Sequence, residues 1–433
     1  MRIGAAVGPA LVPGMPDLPY RDGEQAVVAP LGKSIEAGVW KATGPDMLSG
    51  VLHRPRALRH WLVVASAFLL AGAGTAVAVA REPGPAGTRA AATAKATASA
   101  GRVLDFGLDY SDTLPWETDS ALVASLDDAV AVGAKWIRVD LAWEDYQSTS
   151  AEFAPDFSRF DRVVAAANAR GLRILATIDF PPVWARQSSC AGSSACPPSD
   201  PAQFAEFAAT AVARYAPMGL HDWEIWNEPN NQAWLPGPDP AAYATLLSET
   251  ARAIHAADSS STVILGGLAA SQSHPGLPYI AAPDFIREVA ADGGLSGVDA
   301  VAYHPYPNQD VATSATIESI DSTPDNLVAA LSEAGVPTMP IWITETGFST
   351  PELVEASPDP KILAKEEAAQ SEAATDLVHV LANIPNVAAM FWFNDQDQPD
   401  VRQWYGLRTV SGARKPAFDA LRTAISADLA GRG

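Results

Sequence analysis

From Arg102 onward, short apolar runs alternate with longer amphipathic runs. The short runs are rich in β-branched and aromatic residues, as strands are, and the longer runs space their apolar residues as helices do. Eight strand–helix pairs are predicted: Val103–Leu108 with Ser120–Val132, Trp136–Leu141 with Phe157–Ala169, Leu172–Asp179 with Pro201–Ala216, Trp223–Trp226 with Pro240–Ala257, Thr262–Gly267 with Ala282–Ala291, Val298–His304 with Asp325–Ala334, Pro340–Glu345 with Lys361–Ala382, and Val387–Asn394 with Lys415–Ala427. This alternation predicts an α/β fold with a parallel sheet, and eight pairs predict a (β/α)8 TIM barrel.

A doubly wound open sheet is the competing architecture. That fold places a glycine-rich phosphate-binding loop after an early strand, and no Gly-x-Gly-x-x-Gly run occurs in the sequence. The barrel is therefore the favoured interpretation.

The segment before the barrel has a different pattern. Residues 1–60 are rich in Gly, Pro and Ala without a helical or strand period, which predicts a disordered tail. Trp61–Ala80 is an uncharged apolar run of about 20 residues, long enough to cross a bilayer as a helix. Residues 81–101 have the composition of a flexible linker, so the folded domain is expected to span 102–433.

The orientation of the apolar run follows from the arginines before it, Arg54, Arg56 and Arg59. Positive residues stay on the cytoplasmic side, which places the domain after the run outside the cytoplasm. Two alternatives stay open. The run is either a membrane anchor or a cleaved signal sequence, because its end at Ala76–Ala80 offers small residues to a signal peptidase. The true start is either Met1 or Met47.

Composition narrows the class of partner. A formal charge of −21 argues against nucleic acid and anionic membrane surfaces, which require basic patches. The two cysteines, Cys190 and Cys196, lie in one loop, and in an exported domain they predict a disulfide. No Cys/His cluster has the spacing of a metal site, so neither a metal nor a cofactor is expected.

Two predicted strands end in a glutamate. His221–Asn231 reads His-Asp-Trp-Glu-Ile-Trp-Asn-Glu-Pro-Asn-Asn, where the proline stops the strand and leaves Glu228 at its carboxyl end. Ile341–Gly347 reads Ile-Trp-Ile-Thr-Glu-Thr-Gly and leaves Glu345 in the same position. One such glutamate is usually solvated or ion-paired, but two carboxylates at strand ends among aromatic residues are suited to cleaving a glycosidic bond.

Other strand ends carry polar or aromatic groups as well. They are Arg138 and Asp140, Asp179 and Phe180, Asn227, His304 and Tyr306, and Trp392 and Asn394. In a TIM barrel the chemistry takes place at the carboxyl ends of the strands. These side chains are therefore expected to meet at one mouth.

Trp226-Asn227-Glu228-Pro229 resembles the acid/base signature of clan A glycoside hydrolases, and the match from Leu104 to Leu421 is closest to families 39 and 5. The resemblance implies a retaining enzyme with Glu228 as acid/base after strand 4 and Glu345 as nucleophile after strand 7. Because the second tip reads Thr-Glu-Thr-Gly-Phe and not the Thr-Glu-Trp of many family 39 xylosidases, xylosidase activity is not carried over.

The remaining roles follow from these two. Arg138 and Tyr306 are expected to keep Glu345 ionised, whereas apolar indoles and the charge of Glu345 favour the protonated form of Glu228. Asn227 is placed to bond the sugar 2-hydroxyl.

The predicted substrate-binding residues are Asn227, Arg138, His304, Tyr306, Trp392 and Asn394. His304-Pro305-Tyr306 resembles the His-x-Tyr of family 5, in which the histidine contacts substrate. Trp392 resembles the clan's sugar platform, and Asn394 is a further candidate beside it.

The predicted activity is hydrolysis of β-linked oligo- or polysaccharides by a monomeric catalytic domain that needs no cofactor. A transglycosylase with the same glutamates and a non-catalytic glycan-binding barrel are the alternatives. The sequence does not determine the sugar, the linkage, or endo versus exo action.

Overall fold

Eight parallel strands form a closed barrel in the order of the chain. The computed structural model describes residues 104–431 except 274–275, 308–309, 312, 351–359 and 402. The strands are β1 (Asp105–Asp109), β2 (Trp136–Asp140), β3 (Arg173–Ile178), β4 (Asp222–Asn227), β5 (Thr262–Ala269), β6 (Ala300–His304), β7 (Ile341–Thr346) and β8 (Val387–Phe393). Because β8 pairs with β1, the sheet closes and the predicted (β/α)8 barrel is confirmed.

Helices follow the strands and surround the barrel. The ten α-helices among the described residues are α1 (Asp119–Val132), α2 (Trp143–Tyr146), α3 (Ser158–Asn168), α4 (Pro201–Tyr215), α5 (Pro240–Ala257), α6 (Ala282–Ala291), α7 (Ala315–Glu318), α8 (Leu327–Glu333), α9 (Pro360–Leu381) and α10 (Pro416–Gly431). Short 3-10 turns lie at Leu114–Trp116, Ala216–Met218 and Pro399–Val401. Helices α4 and α5 each begin with proline behind an aspartate cap, Asp200 and Asp239, which accepts a backbone N–H of the first turn.

The strands divide the core into two layers. Side chains alternate between the two faces of a strand, so one set fills the barrel and the other packs beneath the helices. The inner set includes Trp136, Leu175, Ile264, Trp342 and Phe391. Trp136 and Trp342 meet edge to face, with ring centroids 5.1 Å apart, and block the barrel below the polar layer. Inside the barrel, this packing leaves the carboxyl ends of the strands for a site.

The disulfide prediction is confirmed. The predicted membrane segment lies in a part of the chain that the structure does not describe. Cys190 and Cys196 are joined, with S–S 2.01 Å, in the loop between β3 and α4. The predicted tail, the apolar run Trp61–Ala80 and the linker lie outside the described residues. Among the helices that are described, none combines the length and the apolar character needed to cross a bilayer.

Candidate active site

The backbone is irregular where the strands end. Four residues other than glycine have left-handed φ angles at or beside the ends of β1, β3 and β4: Ser111 (46°), Phe180 (43°), Trp226 (73°) and Glu228 (47°). Residues other than glycine rarely adopt these φ angles, and such backbone strain clusters at functional sites. The strained residues therefore indicate a functional site at the carboxyl end of the barrel.

Glu345 lies on β7 and is held through both carboxylate oxygens. Oε1 accepts from Arg138 Nη1 at 2.8 Å, and Oε2 accepts from the Tyr306 hydroxyl at 2.8 Å. The side chain is 7% exposed, so these hydrogen bonds operate largely without competing water. A guanidinium and a hydroxyl donor both stabilise the ionised form of a carboxylate.

Glu228 directly follows β4 and has a different environment. Its Oε2 accepts from the Asn231 amide at 2.7 Å, and its Oε1 lies 3.2 Å from His304 Nδ1. The backbone N–H donates to the Gly267 carbonyl on β5, which ties the strained residue to the next strand. No guanidinium bonds this carboxylate among the described residues, in contrast to Glu345.

The two glutamates face each other across a short gap. A carboxylate oxygen of Glu228, one of Glu345 and a ring nitrogen of His304 all lie within 4.8 Å of one another. Among the described residues, no other set of three such ligand groups is this close. Arg138 and the Tyr306 hydroxyl hold the Glu345 side of this arrangement by hydrogen bonds.

Arg138 on β2 organises the floor of the site. Its side chain is 1% exposed, and each of its five N–H groups has an acceptor. Nε and Nη2 bond the two oxygens of Glu224, Nη1 bonds Asp109 and Glu345, and Nη2 also bonds Asn227 Oδ1 at 2.9 Å. Burial raises the pKa of Asp109 to about 7 although Arg138 opposes the rise. The buried guanidinium on β2 thus couples four polar residues on three other strands, β1, β4 and β7.

His304 at the end of β6 links the two glutamates. Its Nδ1 is 3.2 Å from Glu228 and 3.6 Å from Glu345, and its Nε2 is 3.0 Å from Thr344 Oγ1. Burial lowers the pKa of His304, but the carboxylates of Glu345 and Glu228 outweigh burial and raise it above its ordinary value. The ring occupies space that exists because residue 267 is glycine: a Cβ there would lie 1.9 Å from Nε2.

Tyr306 belongs to an aromatic cluster beside Glu345. Its ring meets Phe393 at 6.2 Å and Tyr405 at 5.3 Å, both edge to face. Burial raises the pKa of Tyr306 well above its ordinary value, and the negative charge of Glu345 adds to the effect. The hydroxyl therefore stays protonated and acts as a donor to Glu345.

The structure does not bring Trp392 to this site, and the sugar-platform prediction is wrong for that residue. Trp392 is fully buried in the layer beneath the helices, and its indole N–H donates to the Tyr405 carbonyl. The alternation of β8 points Trp392 outward and its neighbour Phe393 inward. Asn394 directly follows β8; its amide is buried, and neither its oxygen nor its nitrogen has a hydrogen-bond partner among the described residues.

Several residues of the site were not predicted from the sequence. Glu224, Asp109, Thr344, Asn231 and Gly267 all contact the predicted set. Glu224 carried a signal, because a charged residue inside an apolar strand is costly to bury and requires a partner. Asn231 and Gly267 carried none, since only the folded chain brings them to Glu228 and His304.

Comparisons with known proteins agree with the barrel fold. The family model described as cellulase (glycosyl hydrolase family 5) matches residues 97–398 of the 433. No curated protein matches the chain. Solved structures match its fold, and one of them is a family 39 glycoside hydrolase from the gut symbiont Bacteroides cellulosilyticus WH2. It has TM-score 0.55 and 21% identity over 75% of this chain, which spans 64% of the length of that protein.

Two further structures are similar to the same extent. A family 39 β-xylosidase from Caulobacter crescentus has TM-score 0.55 and 22% identity, covering 75% of this chain and 72% of its own. A family 5 subfamily 18 enzyme from Streptomyces cattleya, solved with GlcNAc, has TM-score 0.57 and 19% identity, covering 76% of this chain and 81% of its own. At these identities the likeness shows the fold.

The barrel and the family match define this chain as a clan A glycoside hydrolase, and so as a glycosidase. More particularly, the chain belongs to glycosyl hydrolase family 5, the cellulase family.

Proposed function

We propose that this protein is a retaining glycosidase for β-linked saccharides, with Glu345 as nucleophile and Glu228 as acid/base. The observation that carries the proposal is the approach of the two carboxylates, which have oxygens within 4.8 Å of each other. Retaining enzymes separate their two carboxyl groups by about 5–5.5 Å, whereas inverting enzymes leave about 6.5–9.5 Å for a water molecule. The short gap supports the retaining route.

In the first step Glu345 attacks the anomeric carbon while Glu228 gives its proton to the leaving-group oxygen. The C–O bond to the leaving group breaks as the bond to Glu345 forms, which yields a glycosyl-enzyme and a free hydroxyl. In the second step Glu228 takes a proton from water, and the resulting nucleophile displaces Glu345. Two inversions leave the product with the configuration of the substrate.

The hydrogen bonds support this division of roles. Arg138 and Tyr306 donate one hydrogen bond to each oxygen of Glu345, which favours the ionised form that a nucleophile requires. Among the described residues, the side-chain partners of Glu228 are the neutral Asn231 amide and His304, a setting that suits an acid/base. The two carboxyl groups thus have different environments, as the different roles of acid/base and nucleophile require.

The sugar is expected to lie over Arg138 and Asn227. Because Asn227 Oδ1 accepts from Arg138, the Nδ2 group of Asn227 is left as the donor for a sugar hydroxyl. Proteins of similar fold are named as a β-xylosidase and an exo-β-1,4-mannosidase, which supports a β-linked substrate without specifying the sugar.

A substrate panel with matched variants tests the proposal. The full-length protein is assayed on β-glycosides and β-linked polysaccharides beside Glu345→Gln, Glu228→Gln and the control Glu117→Gln, which alters a largely buried carboxyl outside the site. Both site variants should lose at least 10³-fold in kcat while the control keeps its activity. A 2-deoxy-2-fluoro glycoside should label Glu345, as identified by peptide mass spectrometry, and NMR should show the β-anomer as first product. An α-anomer or a label elsewhere refutes the mechanism.

We also propose that the barrel works outside the cytoplasm, behind the anchor or signal sequence predicted at Trp61–Ala80. The disulfide between Cys190 and Cys196 supports this location, because disulfides persist in oxidising compartments. Fractionation of cells with an antibody against the barrel tests the proposal. Recovery of the protein in the cytoplasm with free thiols contradicts it.

A further inference from the structure

The two oxygens of Glu228 have different partners. Oε2 accepts from Asn231 Nδ2 at 2.7 Å, and Oε1 faces His304 Nδ1 at 3.2 Å. Asn231 is 2% exposed, and it belongs to the turn after β4, where its own N–H donates to the Glu228 carbonyl. The turn therefore holds the amide against the carboxyl group.

The orientation of the Asn231 amide is fixed by its other end. The backbone N–H of Ala233 donates to Asn231 Oδ1 at 2.7 Å, and a backbone N–H requires an acceptor. Nδ2 is therefore the group that faces Glu228. Because an N–H can only donate, Oε2 must accept and cannot carry a proton along this contact.

The His304 side is fixed by a second chain of hydrogen bonds. Thr344 Oγ1 donates to Glu224 Oε1 at 3.4 Å, so its lone pair is free to accept from His304 Nε2 at 3.0 Å. With Nε2 protonated, Nδ1 either accepts from a protonated Glu228 Oε1 or, in the imidazolium, donates to the carboxylate. In both cases one proton lies between Oε1 and Nδ1.

We propose that Asn231 is a positioning residue that keeps Oε2 of Glu228 as an acceptor and thereby places the acid's proton on Oε1, where His304 shares it. The inference rests on the proposed role of Glu228. Oε1 would give the proton to the leaving-group oxygen as the glycosidic bond breaks, and would take one back from water in the second step. Among the described residues, the charged or titratable groups that face Glu228 are His304 and Glu345, with Arg138 behind Glu345.

Asn231→Asp tests the role of the donor. The aspartate keeps an oxygen for the Ala233 N–H and the same shape, but it replaces the donor to Oε2 with an acceptor that carries charge. Ionising Glu228 then becomes harder, so the basic limb of the kcat/KM profile should move up by about one pH unit while the rate at the acidic end stays within a few-fold. The control is Asn168→Asp, at an exposed position of α3 where the amide Nδ2 donates to the Met218 carbonyl. It also removes an amide donor and should leave the basic limb of the kcat/KM profile in place.

A titration that needs no substrate gives the second readout. With ¹³C-labelled glutamate, the Glu228 carboxyl resonance is identified by its absence in Glu228→Gln, and its midpoint should rise in Asn231→Asp by the same amount as the kinetic limb. An unchanged midpoint, or a uniform fall in rate without a shifted limb, overturns the role given to Asn231. If Glu228→Gln keeps its activity while the midpoint does shift, the proposed acid/base has failed and the placement of the proton stands.

Discussion

Replacing Gly267 with alanine tests how His304 is held. Gly267 lies on β5, and its N–H donates to Glu224 while its carbonyl accepts from the Glu228 N–H, so the backbone is tied on both sides. Its φ is not in the left-handed region, and an alanine is therefore allowed by the backbone. The added Cβ would lie 1.9 Å from His304 Nε2 and 2.5 Å from Cε1.

The size of the effect follows from these distances. Ordinary contact begins at 3.4 Å, so the imidazole must retreat by about 1.5 Å, which breaks its bonds to Thr344 and Glu228. Overpacking a tight core costs about 1–3 kcal/mol of unfolding free energy. A misplacement of about 1 Å at a catalytic group lowers the rate by about 10²-fold. We therefore expect kcat to fall by about 10² and the protein to remain folded.

Steady-state kinetics and urea unfolding measure the two effects. Gly192→Ala is the control, because a Cβ at Gly192 meets no atom within 4 Å. In a His304→Ala background the ring is gone, and Gly267→Ala should then change the unfolding free energy by less than about 0.5 kcal/mol. If Gly267→Ala has wild-type kcat and stability, the imidazole does not lie where the structure puts it.

Three further predictions concern single contacts. Tyr306→Phe removes the donor to Glu345 Oε2 and should lower kcat by about 10²-fold with little change in unfolding free energy, measured by kinetics and urea unfolding. Burial raises the pKa of Glu117 from 4.5 to about 7. The protonated carboxyl therefore contributes fully to the unfolding free energy below pH 4.5, and this contribution is lost as the pH rises through 7. The unfolding free energy should fall across this window, and Glu117→Gln should reduce the fall. Replacing Cys190 and Cys196 with serine should cost about 2 kcal/mol in urea unfolding, because the closed loop is short.

Much of the fold could be predicted because the signals are local. Helices at Pro240–Ala257 and Ala282–Ala291 have the predicted bounds, since each has a proline in its first turn and carries a clear apolar face. The eight strands were predicted to within a few residues. The short helices Trp143–Tyr146 and Ala315–Glu318 were missed, because four residues are too few for a period to show.

The orientation of side chains at the mouth was harder to predict. The prediction for Trp392 failed by one position, because successive side chains along β8 point to opposite faces and a shift of one residue exchanges the inner and outer faces. Register shifts also interrupt the pairing of β5 with β6 and of β7 with β8, so simple alternation fails at the ends of these strands. In β7, Thr344 and Glu345 are adjacent and both reach the site. No periodic pattern predicts two neighbours on one face.

The contacts of Arg138 explain why the two glutamates can be buried so close together. Two carboxylates near each other repel, and burial strengthens the repulsion, so a pair without compensation would take up a proton or destabilise the barrel. Arg138 neutralises the floor by bonding Glu224 and Asp109 as well as Glu345, and its fork uses every donor it has. The proposed mechanism gives the nucleophile's role to Glu345, which bonds the guanidinium, and the acid/base role to Glu228, which has no such partner among the described residues and faces His304. The asymmetry that the proposed mechanism requires therefore arises from the placement of one guanidinium on β2, which bonds one glutamate and not the other.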